Sequence, residues 1–477
     1  MKKLFLKNFG FTFIILAINS GFVNSQTGYA IQGVNVIPMD EELVLTDQTV
    51  LIKDGKIESV GPYSEVKVPK DYRIVNAKNK YLMPGLFDMH VHFFQEQYTN
   101  HLGTTESELK MMLANGLTTV RILAGHPDYL TARENVKSNQ WEGPQLVVAS
   151  PQLVGAWHWP AEFKNFEVVN TPEKAAKAVR AFKGQGYDAI KITFMVNREC
   201  YDAIIATAKE INIKVVGHVG PKVKLPAALE AGQQIEHMDE FIDMLLPDTS
   251  YNGGQSVSDM NIWRKKAWAT VPVLDELKIP TLAQRVKQAG IFVTPTNYFF
   301  VSSFGENPTE DIIKRRAEFG FIPKSLLDER WKNRAAFSKL EISEQDREKY
   351  IRIRRKLVVE LWKSGVPLMA GSDSPEFFLV AGFALHNELE ELVNSGLTPF
   401  AALKAATVNP ATYLNVADVK GTVGVGKEAD LLLLDKNPLT DIKNTTSILG
   451  VFNNGKYYDK ATLDGFLESA KKKFSNH

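Results

Sequence analysis

Cysteine is almost missing from this chain: Cys200 stands alone among 477 residues. A single thiol makes no internal disulfide, so a disulfide-stapled scaffold is excluded, and Cys200 reads as a small buried hydrophobe. Net charge is equally scarce. The 56 Lys and Arg nearly cancel the 55 Asp and Glu, leaving +1. That balance removes the electrostatic case for nucleic acid or an acidic membrane surface as a partner and favours a small-molecule substrate. Repeats and low-complexity tracts are also lacking. What remains is ordinary for a globular chain, 44% hydrophobic and 23% charged, enough for a large core.

The N-terminus stands apart. "MKKLFLKNFGFTFIILAINSGFVNSQ" opens on Lys2, Lys3 and Lys7, continues through an apolar stretch from Phe9 to Ile18, and closes on small or polar residues. This is the layout of a secretory signal over residues 1–25, too short for a comfortable membrane span. Export to a periplasm or the medium is expected, with no stable span after cleavage. No cysteine follows the apolar stretch, which argues against a lipoprotein.

Both ends of the remaining chain read as short strands with tight turns. Lys53-Asp54-Gly55-Lys56 and Asn454-Gly455 are hairpin signals between alternating runs. The expectation is a small β-sandwich built from residues 26–82 and 418–477, the latter ending in a helix. Between them the text alternates. Apolar strand candidates at 85–92, 117–123, 145–150, 188–193, 214–219, 233–237, 291–295 and 366–371 are separated by helical patterns. Thr171-Pro172 marks one helix start, as cap and first residue. Eight such strands with crossover helices predict an α/β fold, a (β/α)₈ barrel over 83–417. Charged, aromatic-rich insertions at about 240–288 and 299–360 interrupt it, and such excursions build active-site walls. Composition leaves a homo-oligomer open.

Nine histidines are available, and two of them stand one residue apart in "GLFDMHVHF". Side chains two apart on a strand face one way, so His90 and His92 can grip one ion together. Chance produces some such pair in roughly one chain in six of this composition, so the pair needs partners. Other strand ends supply them: Lys191, His218, His237 and Asp373. Active sites of this fold lie at the C-terminal strand ends, and imidazole with carboxylate suits zinc, manganese, iron or cobalt.

The ordered motifs "MPGLFDMHVHF", "AIKITF", "VVGHVG", "QQIEHMDEF" and "LMAGSDSPE" resemble the amidohydrolase superfamily, in its imidazolonepropionase-like and Xaa-Pro dipeptidase (prolidase)-like branch. The closing "GTVGVGKEADLLLLDKNPL" resembles that family's return into its small β-sandwich. The resemblance implies two divalent ions, zinc foremost. His90, His92 and Asp373 would hold the first, and His218 and His237 the second. Lys191 resembles a bridging lysine carboxylated by CO₂; an uncarboxylated lysine beside one metal is the alternative. A metal-bridged hydroxide would attack, with Asp373 as general base and then acid. The implied reaction is hydrolysis of an amide-type C–N bond in a dipeptide or N-acyl amino acid. A cyclic amide, lactone or phosphotriester is the alternative substrate, and a catalytically silent scaffold is the reading from another class.

His158 in "GAWHWP" and Tyr298 are further candidates, for substrate contact. The family commonly reads Arg-Asp where this chain has Arg121-Ile122, which weakens the second strand as a source of polar contacts. His386 is expected to be structural, and His101 and His126 to be solvated loop residues.

Overall fold

The structure, a computed structural model, describes residues 28–94, 103–156, 165–193, 195–238, 240–247 and 262–475. The signal-like segment, His101 and His158 lie outside the described residues. Among those described, no helix is long and apolar enough to cross a membrane.

The two chain ends meet in one mixed sheet. Its order runs Lys456–Asp459, Ile448–Asn453, Leu431–Leu434, Tyr81–Pro84, Tyr29–Val36, Leu45–Lys53, Lys56–Pro62, with Arg73–Asn76 also pairing Tyr29–Val36. Leu431–Leu434 joins the two ends, antiparallel to both Tyr81–Pro84 and Ile448–Asn453. The inward residues include Ile31, Val50, Leu82, Leu431 and Phe452, which form a buried cluster of their own. Both hairpin signals act as read. Asp54 and Gly55 take φ of 50° and 73°, and Asn454 and Gly455 take 50° and 76°. Paired positive φ values match a two-residue turn to the right-handed twist of its strands.

The middle of the chain pairs only in parallel. Leu86–Val91 pairs with Leu117–Ile122, which pairs with Gln145–Val148. Ala149 bridges to Ala189, and Ala189–Ile192 pairs with Lys214–Gly217. That strand pairs with Gln234–Glu236, which pairs with Val293–Thr294. Val293 bridges to Leu368, and Ser374 bridges back to Val91. The circuit therefore returns to its first strand. Helices occupy the connections, among them Thr105–Ala114, Pro127–Lys137, Pro172–Gly184, Arg198–Glu210 and Ile279–Ala289. Thr171 caps its helix by accepting from Lys174 N, as its sequence indicated. The eighth segment differs from its expectation of a regular strand over 366–371. It touches its neighbours through isolated bridges at Leu368 and Ser374, and Asp373 between them takes left-handed backbone at φ 52°.

The described parts of the two insertions are helical, with Lys324–Ser338 and Glu344–Lys363 the longest. The C-terminal helix Lys460–Ser475 ends on Phe474, which is fully buried and packs edge-on against Phe94 at 5.4 Å.

Candidate metal centre

The circuit brings the strand ends together. His90 Nε2 and His92 Nε2 both converge on Asp373 Oδ1, at 3.2 and 3.4 Å. These three residues offer ligand atoms that all lie within 4.8 Å of one another. His237 closes the other side, with Nδ1 3.7 Å from Asp373 Oδ2 and its ring 4.4 Å from that of His90. His218 stacks on His237 at 4.6 Å. Lys191 is 1% exposed, and its charge acts on both Glu236 and His237. The six residues singled out at the strand ends thus share one neighbourhood, drawn from five strands' ends.

The backbone is bent to achieve this. His237, Thr296 and Asp373 all have positive φ, at 68°, 44° and 52°. Residues with side chains rarely adopt this region, and such strain concentrates at functional sites. Hydrogen bonds hold it in place: Asp373 N donates to His90 O at 2.8 Å, and His237 N donates to Thr294 O at 2.8 Å. Two glycines leave room. A Cβ on Gly371 would sit 2.7 Å from His90 Cβ, and one on Gly217 would sit 2.1 Å from Ile192 O and 3.0 Å from Lys191 Cδ.

Partners behind the site orient the imidazoles. Glu236 Oε2 lies 2.9 Å from His90 Nδ1, and an ionised carboxylate can only accept. His90 therefore carries a proton on Nδ1, and its Nε2 is turned toward Asp373. Thr296 Oγ1 spends its own proton on Pro295 O at 2.8 Å, so it accepts from His237 Nδ1 at 2.8 Å. The same Nδ1 is the nitrogen that lies 3.7 Å from Asp373 Oδ2. Glu236 is itself held by Arg121, whose Nη2 donates to Oε1 at 2.6 Å while its Nε donates to Met89 O at 2.6 Å. Burial opposes ionisation of Glu236, yet Arg121 and His90 draw its pKa down to about 2. Burial likewise opposes the charge on Asp373, but His90 and His237 hold it well below the usual carboxylate range. Burial pushes His237 well down, against the pull of Asp373. Neutral imidazoles and an ionised carboxylate are the donor forms a divalent cation needs.

Asp88 adds a second brace. Its Oδ1 accepts from His90 N and Ser372 N at 3.1 and 3.0 Å, and its Oδ2 accepts from Ser372 Oγ at 2.6 Å. First strand and eighth segment are thereby locked in register. Burial raises Asp88 to about 6 despite those donors.

Sequence reasoning missed Glu236, Asp88 and Arg121 as supports. Glu236 in "QQIEH" and Asp88 in "GLFDMHVH" stand one and two residues from a histidine, which was the available signal, whereas Arg121 in "TTVRIL" carries none. Other residues fall elsewhere. Tyr298 donates its backbone N to Glu388 at 2.7 Å, and its hydroxyl engages Ser302 beside Arg316. His386 joins Thr445 Oγ1 at 2.9 Å and Asn115 O at 3.0 Å, tying a central helix to the C-terminal part. His126 is not simply solvated: its Nδ1 accepts from Asp128 N at 3.2 Å and caps the helix Pro127–Lys137. Cys200 is buried in a helix, and burial raises its thiol.

Within this constellation, His90, His92 and Asp373 form a cluster able to hold a divalent ion. The amidohydrolase family model matches residues 81–457, well over half of the chain. The chain belongs to the amidohydrolase family and is a hydrolase acting on carbon–nitrogen bonds. Among curated proteins it is similar to ochratoxinase of Aspergillus niger, 24% identical over 92% of this chain and 88% of that one. Among solved structures it resembles the bottromycin amidohydrolase, with TM-score 0.70, 23% identity and coverage of 94% and 91%. A Xaa-Pro dipeptidase also matches, with TM-score 0.62, 18% identity and coverage of 91% and 100%.

Proposed function

We propose that this protein is an exported, binuclear metal-dependent amidohydrolase that cleaves the amide bond of a dipeptide or N-acyl amino acid. The parallel circuit is read as a (β/α)₈ barrel, with the strands of both chain ends as a small β-sandwich beside it. Export rests on the signal layout of residues 1–25. The names of the similar proteins, ochratoxinase, Xaa-Pro dipeptidase and bottromycin amidohydrolase, support an amide target. The observation that carries the reading is the single carboxylate of Asp373, reached by His90, His92 and His237 within 3.2, 3.4 and 3.7 Å.

His90, His92 and Asp373 would hold one cation, and His218 and His237 a second. Zinc fits the imidazole-rich set, and manganese, iron and cobalt share its ligand preferences. Lys191 is fully buried facing this set. A bare ammonium would oppose a cation, whereas addition of its amine to CO₂ with loss of a proton gives an anionic carbamate suited to bridge. Bound ions would supply polarisation of the scissile carbonyl and a nucleophile competent at neutral pH. The chain's own part is positional and acid–base. Glu236 holds the His90 ring with Nε2 toward Asp373, and Thr296 anchors the His237 ring through Nδ1. Asp373 takes a proton at Oδ2, the oxygen farther from its histidine neighbours, and returns it to the leaving nitrogen.

Elemental analysis with a substrate panel tests this. Two divalent ions per chain and turnover of dipeptides or N-acyl amino acids are expected, with Lys191→Ala and Asp373→Asn losing most activity. Protein without stoichiometric metal that zinc or manganese fails to activate overturns the enzyme reading. One ion per chain with full activity in Lys191→Ala overturns the binuclear carbamate.

A further inference from the structure

A cavity of about 120 Å³ opens beside the metal centre, with His92 in its wall and Phe94, Trp263, Arg330, Asn333 and Phe377 around it. Four separate chain segments build it: the end of the first strand, both insertions, and the loop after Asp373. Two observations set its aromatic wall apart from ordinary core.

The first is Trp263. Its ring stacks on Phe377 at 5.2 Å and an interplanar angle of 13°, and meets Phe304 and Phe337 edge-on at 5.4 and 5.7 Å. Three rings thus fix its orientation. It is nevertheless 42% exposed. A large aromatic ring held rigid yet left open to solvent costs hydrophobic free energy that a bound apolar group would recover.

The second is Phe377. This bulky residue sits four positions after Asp373 at φ 51°, a left-handed conformation that a side chain of its size strongly disfavours. The strained turn is what presents the Phe377 ring flat to Trp263. Strain kept at a ligand-facing wall fits a binding role better than a packing one.

We infer that this cavity is a ring-binding subsite, so that the amides cleaved here carry an aromatic or flat apolar group next to the scissile bond. The inference rests on the amidohydrolase reading and deepens it. At about 120 Å³ the space is of the order that holds one benzene-sized ring, with Phe94, Trp263 and Phe377 as its apolar wall and His92, Glu329, Arg330, Asn333 and Glu376 as its polar rim. His92 in the same wall places that ring within reach of an amide held at Asp373. Trp263 and Phe377 are the specificity-determining residues.

Two measurements on the full-length metal-loaded protein test the subsite. The first compares kcat/KM for Ala-Ala, Ala-Phe and Phe-Ala. One aromatic dipeptide should exceed Ala-Ala at least about tenfold, the effect of burying a ring against a stacked partner. Trp263→Ala should bring that ratio near one, and Trp263→Phe should keep most of it. The ratio is internal, so a general loss of folded enzyme cancels. The second measurement is saturation-transfer NMR with benzyl alcohol against propanol. Benzyl alcohol should bind the parent and lose its signal in Trp263→Ala, while propanol gives none. Cleavage of Ala-Ala as fast as both aromatic dipeptides overturns the subsite, as does benzyl alcohol binding that ignores Trp263. Trp263-dependent benzyl alcohol binding without turnover of any amide upholds the subsite and overturns the amidohydrolase substrate reading instead.

Discussion

Glu236→Ala should damage this protein twice, and the two injuries can be separated. Glu236 and Arg121 are both completely buried and meet at 2.6 Å. Removing the carboxylate strands a guanidinium whose remaining described bonds are to Met89 O and, at 3.4 Å, to Thr294 Oγ1. Breaking one side of a buried ion pair typically costs about 3–5 kcal/mol. Independently, His90 Nδ1 loses its acceptor, so the ring is no longer held with Nε2 toward Asp373. Loss of such a partner behind a metal ligand typically weakens metal affinity about 10–100-fold. In Glu236→Met with Arg121→Met the stranded charge disappears, because apolar replacement of a whole buried pair is often near neutral. The double variant should recover most of the stability but none of the metal affinity. Urea unfolding measures the first effect, and competition for zinc against a chelator measures the second. Recovery of both together would refute the argument, since His90 would then be oriented without Glu236. Failure of the double variant to recover stability would show that the pair is not the source of the cost.

Three further outcomes follow from particular contacts. Burial lowers His386 from 6.5 to about 4, so between those values the unfolded chain takes up a proton that the folded chain refuses. Stability should therefore drop as pH falls through that window, by about 3 kcal/mol, and the drop should vanish in the pH profile of His386→Asn measured against the parent. Gly217→Ala should unfold at markedly lower urea and retain little metal, because φ of 123° and the nearby Ile192 O leave no room for a Cβ. Gly184→Ala, where nothing lies within 4 Å, should be neutral or stabilising. Phe474→Ala removes a fully buried ring from behind Phe94 and should cost about 3 kcal/mol. Because Phe94 lines the cavity beside His92, KM should rise more than kcat falls. An unchanged KM would detach the C-terminal helix from the substrate site.

How much of this was legible beforehand depended on how local its causes are. His90 and His92 could be read because strand geometry alone puts alternate side chains on one face. Thr171 and Pro172, Asp54 and Gly55, and Asn454 and Gly455 could be read because caps and tight turns are settled within a few residues. The union of the two chain ends, by contrast, was expected from texture alone, and the pairing of Leu431–Leu434 beside Tyr81–Pro84 in one mixed sheet is what makes it. His126 reads as a solvated loop residue because nothing in the sequence marks it as the cap of the helix that begins on Pro127. The eighth segment reads as a strand from its apolar run, yet it pairs through isolated bridges at Leu368 and Ser374.

Residue types and order along the chain singled out the residues that meet at the strand ends: His90, His92, Lys191, His218, His237 and Asp373, each at the end of an apolar run. They also set the tight turns, the helix caps and the alternation that calls for a parallel α/β core. Tertiary structure alone decided the rest. Glu236 stands 115 residues from Arg121 and 146 from His90, and Asp88 stands 284 from Ser372. No periodicity encodes such contacts. They exist because a closed circuit of strands forces distant side chains into one dry interior, where each buried charge must find a partner. The ring-walled cavity has the same origin, since Phe94, Trp263 and Phe377 are neighbours only after the insertions fold back over the strand ends.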